Sequence, residues 1–341
     1  MPESANPVLV EVTRGTRVES IHRGAVAVVD CDGRIAFAQG TIDSPIYPRS
    51  AFKMLQAVPL VELGAADAFN LTDQELALAC ASHSGEPGQV ALVDAWLRRL
   101  GLMPASLVCG PEGAHDDKAR LAHNCSGKHA GFLTLALHLG APVSGYAEVD
   151  HPVQRAVRAA LADFAGLSAP ALAHGRDNCG APAFIMPLRA LARGLARFAS
   201  GRGLSPSRAA AAGRLRAAML AHPELVAGAG RPCTELMQAA AGRAVVKAGA
   251  EGVYAAALTG NGLGIALKID DGTPRAARAA MAALLVTAGA VSAEDPRVAA
   301  YVDAPVLGAD GKILGRVRPA PALRTQADLA HAIAGSLEES R

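Results

Sequence analysis

The chain has 341 residues, of which 51% are hydrophobic, 19% charged and 4% aromatic. So much apolar material excludes an intrinsically disordered chain and supplies one large core or two medium ones. Thirty-three Lys and Arg against 31 Asp and Glu leave a net charge of +2, which argues against nucleic acid or an anionic membrane as the main partner.

Met1 to Pro7 lacks a basic stretch ahead of an apolar one, so no secretory signal is expected. No apolar run reaches the ~18 residues of a membrane-spanning helix. The six cysteines (31, 80, 109, 125, 179, 233) are too scattered for a secreted disulfide scaffold, and a reduced, cytoplasmic protein is expected. Val8–Val12, Val18–His22 and Ala25–Val29 alternate as strands, and Cys31-Asp32-Gly33 reads as a turn into a strand Arg34–Ala38. Ser50 is placed to cap a helix from Ala51 to Leu63, ended by Gly64. Helices are then predicted over Asp73–Ala81, Gly88–Leu100, Lys128–Leu139, His151–Ala165, Ile185–Ala199 and Ser207–Ala221. Strand character returns at Ala244–Lys247, Val253–Ala257 and Leu263–Ile269, with Gly260-Asn261-Gly262 as a hairpin turn. A helix at Pro274–Ala288, short strands around Val306 and Ile313, and a polar helix from Gln326 complete the chain. The order predicts an α/β (α+β) fold, an antiparallel sheet fed from both chain ends with an inserted helical subdomain. We read a single domain over 1–341, with a sheet subdomain of about 1–48 and 242–341 and a helical one of about 49–241.

The residues with chemistry collect in the loops. Arg49-Ser50-Ala51-Phe52-Lys53 contains a Ser-x-x-Lys, and positions i and i+3 share a helix face, so the Lys53 amine is expected beside the Ser50 hydroxyl. A lysine is a base only when neutral, so the site must disfavour the ammonium by burial or a second cation. Ser82 and Ser84, in Cys80-Ala81-Ser82-His83-Ser84-Gly85-Glu86, are candidates for a proton relay or substrate contacts. Lys247-Ala248-Gly249, after an apolar strand, parallels the Lys-Thr-Gly of penicillin-recognising serine enzymes, and Lys247 would be the second cation. Two Asn-Cys loops, His123-Asn124-Cys125-Ser126-Gly127-Lys128-His129 and Asp177-Asn178-Cys179-Gly180, offer two thiolates for a soft divalent ion such as zinc. Cys125 and His129 are four apart, so spacing favours His129 as the nitrogen ligand, and the same two loops also read as buried free cysteines in asparagine turns. Thr234 reads either as a helix cap or as a pocket-lining residue.

Together these blocks resemble the asparaginase II family, the L-asparaginases of Rhizobium etli type, across almost the whole chain. The resemblance implies a β-lactamase/penicillin-binding-protein-like fold, a homodimer, and hydrolysis of L-asparagine to L-aspartate and ammonia. It implies a nucleophilic Ser50 with Lys53, a second pair Ser82 and Lys247, and a zinc site of Cys125, Lys128 and Cys179. Lys128 then replaces His129 as ligand and must bind deprotonated. Charge suggests Arg49 for the substrate carboxylate and Asp177 or Glu251 for its ammonium, with His83 and Thr234 as further substrate contacts. Two alternatives share these residues: attack by zinc-bound water, or a non-catalytic amino-acid or metal sensor.

Overall fold

The computed structural model describes residues 6–110 and 116–324. The helix expected from Gln326 lies outside the described residues. The chain divides into two compact units. One comprises Met1–Ala51, Pro187–Ser200 and Glu235–Arg341, and the other Phe52–Met186 and Gly201–Thr234.

The first unit is built on an antiparallel sheet. Its strands are β1 (Val8–Arg14), β2 (Arg17–Val29), β3 (Ile35–Gln39), β4 (Ala244–Ala248), β5 (Val253–Leu258), β6 (Gly264–Ile269), β7 (Ala304–Leu307) and β8 (Ile313–Pro319). Along the sheet the order is β7-β8-β1-β2-β6-β5-β4, with β3 also paired to β2. The fold is thus mixed α/β, with a sheet assembled from both ends of the chain. Two strands predicted separately, Val18–His22 and Ala25–Val29, form the single strand β2. Its first half pairs with β1 and its second half with β6 and β3. Gly24 sits at the changeover, where a Cβ would lie 2.3 Å from the Lys268 carbonyl oxygen. Only a residue without a side chain lets β6 come so close.

Every residue of β5 is buried. Successive side chains of a strand point to opposite faces, so both faces of the sheet are covered there. The helices Leu188–Ser200 and Pro274–Thr287 supply the cover. The first packs so tightly that a Cβ on Gly264 would meet the Ala192 carbonyl oxygen at 1.9 Å. Sequence places this helix in the helical block. It belongs with the sheet because its alternating Ala and Leu stripe is buried there.

The second unit is helical. Its centre is the helix Lys53–Glu62, whose residues Lys53 to Leu60 are all buried, against Ser126–His138, Pro152–Ala165 and Pro206–Ala221. A helix buried on every face is an interior element rather than an amphipathic surface one. Gly127 seats the Ser126–His138 helix on Asp73–Ala79, where a Cβ would lie 2.3 Å from the Leu78 carbonyl oxygen. Among the described residues no helix is long and apolar enough to cross a membrane.

Candidate functional site

The residues singled out by sequence fall in both units. In the helical unit they gather around Lys53. Its amine is 1% exposed and lies within hydrogen-bonding distance of the Ala81 carbonyl at 2.6 Å, the Ser82 hydroxyl at 2.9 Å, the Cys125 sulfur at 3.1 Å and the Asn124 carbonyl at 3.3 Å. A buried polar group is tolerated only with such partners. The serine hydroxyl that these bonds bring to Lys53 is that of Ser82. The contact with Cys125 could not be read from spacing, because 72 residues separate the two.

Ser82 is held by its own backbone, whose N–H donates to the Val226 carbonyl at 2.9 Å. His83 secures the same loop. Ser126 Oγ donates to the Leu121 carbonyl at 2.8 Å, so the 2.8 Å bond between Ser126 Oγ and His83 Nε2 has the imidazole as donor. His83 Nδ1 then accepts from the Gly85 N–H at 3.2 Å. These bonds fix one neutral tautomer. Burial, with the positive charge of Lys53 and His123 adding to it, lowers the His83 pKa to about 3. Both ring nitrogens are committed within the chain, as is the Thr234 hydroxyl, which faces the carbonyls of Pro223 and Gly228. Thr234 lies inside the first turn of the Pro232–Ala240 helix rather than capping it.

The cysteine loops meet in this unit. The Cys125 thiol hydrogen-bonds Cys179, and this contact leads the effects that bring the Cys179 thiol down to about 5. Lys128 Nζ donates to Cys179 Sγ at 3.2 Å. Burial alone would lower the Lys128 pKa, but Cys179, Cys125 and Asp177 outweigh it and raise it. The Asp177 carboxylate lies 3.9 Å from Cys179 Sγ and accepts from the Asn178 N–H at 2.9 Å. His129, the ligand suggested by spacing, turns its Nδ1 to Tyr146 Oη at 2.8 Å, and its buried Nε2 has no hydrogen-bond partner among the described residues. Among the described residues no three His, Cys, Asp or Glu side chains are grouped to hold a metal. Two sulfurs in contact, with the Lys128 amine against one of them, are nevertheless a donor set for a soft ion once the amine loses its proton.

In the sheet unit, Ser50 is half-buried and does not cap the helix, contrary to expectation. It lies within a 3-10 turn, Arg49–Phe52, and the α-helix starts only at Lys53 with no side-chain cap. Arg49, the first residue of that turn, is left-handed at φ 53°. Lys247 is 1% exposed on β4, and its Nζ donates to the Ala248 carbonyl at 3.0 Å. Glu251, exposed in the turn after β4, is also left-handed at φ 57°.

The chain matches the family model described as L-asparaginase II over residues 10–319. No curated protein matches it significantly. Among solved structures, a β-lactamase from Mycobacterium bovis is 14% identical, over 77% of this chain and 94% of its own, with a TM-score of 0.43. A candidate β-lactamase from Bacteroides dorei is 15% identical, over 72% of this chain and 84% of its own, with a TM-score of 0.40. The family match spans each of the blocks around Ser50, Ser82, Cys125, Cys179 and Lys247. The chain belongs to the L-asparaginase II family, whose chemistry is asparaginase-type amide hydrolysis.

Proposed function

We propose that the chain is an L-asparaginase that hydrolyses L-asparagine to L-aspartate and ammonia through an acyl-enzyme on Ser50. The observation that carries this reading is the buried Lys53 amine, 2.9 Å from the Ser82 hydroxyl and three residues beyond Ser50. A lysine withdrawn from water beside a hydroxyl is the setting in which an amine exchanges protons with an alcohol. Ser50 Oγ attacks the side-chain amide carbon and its proton passes to the neutral amine of Lys53. Backbone N–H groups at the turn hold the resulting oxyanion, the one on Ser50 among them. Collapse breaks the carbon–nitrogen bond as the proton passes through Lys53 and Ser82 to the leaving nitrogen, and ammonia departs. Water then cleaves the aspartyl ester, and Ser50 regains its proton.

Lys247 lies two residues before Gly249 on β4 and provides a buried positive charge in the unit that carries Ser50. Arg49 is assigned to the substrate carboxylate, and Asp177 or Glu251 to its ammonium. His83 and Thr234 act by fixing the main chain. Cys125, Lys128 and Cys179 would hold the zinc, which when bound supplies positive charge that shapes and polarises the pocket.

Ser50→Ala should lower the rate of ammonia release at least ~10⁴-fold, and rapid acid quenching of the wild type should trap an aspartyl ester on the Ser50 peptide. Normal turnover by that variant would remove Ser50 as nucleophile. Chelation should lower activity by about 10-fold without abolishing it. Complete loss on chelation, with no ester trapped, would transfer the attack to zinc-bound water.

A further inference from the structure

Two backbone observations converge on the turn that carries Ser50. The Ala51 N–H donates to the Pro48 carbonyl at 3.0 Å, closing a tight turn with Arg49 and Ser50 at its centre, and Arg49 is left-handed within it. Just past the end of β4, Gly249 lies against the same turn. A Cβ there would sit 2.6 Å from the Pro48 carbonyl oxygen and 3.3 Å from the Ala51 nitrogen, the two ends of that closing hydrogen bond. On its other side it would meet the Val253 Cβ at 3.2 Å. The Gly249 N–H is itself tied to the Val253 carbonyl at 2.8 Å, so the residue cannot swing away.

We propose that Gly249 is a positioning residue for amide hydrolysis, because its missing side chain lets the end of β4 seat the Pro48–Ala51 turn and so fixes where Ser50 presents its hydroxyl. The inference rests on Ser50 being the nucleophile. Its physical basis is steric. The nearest obstacle to any larger residue is a backbone carbonyl, which cannot rotate aside as a flexible side chain can. Relief must come from movement of the turn. A displacement near 1 Å at a reacting atom costs about 10²-fold in rate. Arg49, assigned to the substrate carboxylate, lies in the same turn, so its hold on the substrate shifts together with Ser50.

The test compares Gly249→Ala with Gly40→Ala, in the full-length protein. Gly40 is left-handed at φ 72° at the end of β3, and a Cβ there would meet Asn6 Oδ1 at 2.6 Å, the Gly24 carbonyl oxygen at 2.9 Å and the Ala25 Cα at 3.1 Å, so it strains the same unit at contacts outside the Pro48–Ala51 turn. For each, thermal stability, kcat per folded molecule and KM are measured. Gly249→Ala should lose about 100-fold in kcat, with KM rising as well because Arg49 moves with the turn. Gly40→Ala should lose stability but keep kcat within about threefold. Equal kcat in the two variants would overturn the proposal. Should Gly249→Ala fold poorly, its kcat per folded molecule is read against wild type in sucrose, which favours the compact state, by the same criterion. Ser50→Ala in the same series separates the two ideas. If that variant is inactive and Gly249→Ala behaves as wild type, only the positioning role fails. If Ser50→Ala turns over normally, the nucleophile assignment fails.

Discussion

Lys53 and His83 show how one buried polar residue fixes the state of another. The amine at position 53 and the imidazole at position 83 belong to the same unit, and burial with the nearby cation keeps His83 neutral. The ring therefore works as a strut between the Ser82 loop and the start of the Ser126–His138 helix, not as an acid or base. This has a pH signature. Unfolded His83 binds a proton near the ordinary histidine value, whereas in the fold it does so only near pH 3. Between those values the unfolded chain holds the extra proton, so acid favours unfolding. The stabilisation is complete above the unfolded value and is lost as pH falls through the folded one, at up to ~1.4 kcal/mol per pH unit. His83→Gln retains a donor but cannot titrate. Its melting temperature should fall about 5 °C less than that of wild type between about pH 6.5 and 4. Equal falls would show that His83 is not held neutral.

Element boundaries depend on single backbone conformations that composition does not reveal. The Ser50 region contains the residue types of a capped helix, yet the chain enters through a 3-10 turn with Arg49 left-handed, and the α-helix begins only at Lys53. A similar device ends the Pro232–Ala240 helix. Ala241 adopts φ 46°, its N–H donates to the Gln238 carbonyl at 3.2 Å, and its side chain is exposed. A left-handed alanine costs roughly 1 kcal/mol that glycine does not, partly offset by glycine's greater freedom when unfolded. Ala241→Gly should therefore stabilise the protein by about 0.5 kcal/mol and raise its melting temperature by about 1–2 °C, measured by thermal denaturation. A lower melting temperature would mean that the alanine methyl makes a contact worth more than the strain.

In the whole molecule, the broad plan was legible before any coordinates. The Val-rich segments at both ends and the Ala/Leu-rich middle predict a sheet closed by distant parts of the chain, and β1 indeed pairs with β8 across some 300 residues of sequence, Val10 opposite Pro319. The Leu188–Ser200 helix was not assignable in this way, since its apolar stripe suits either unit and only packing against β6 chose between them. The pairing of Lys128, rather than His129, with Cys179 was equally hidden in spacing, because neighbouring positions on a helix point about 100° apart and only the start of the turn decides which faces the second cysteine. Residue order by itself determined the element types, the family motifs and the chemistry available, because periodicity and composition act over a few residues. The tertiary structure decided that the Ser82 hydroxyl meets Lys53, that the Lys128 amine meets Cys179, and why position 249 must lack a side chain. Those are contacts between segments tens to hundreds of residues apart, set by burial and steric fit that exist only once the chain has closed on itself.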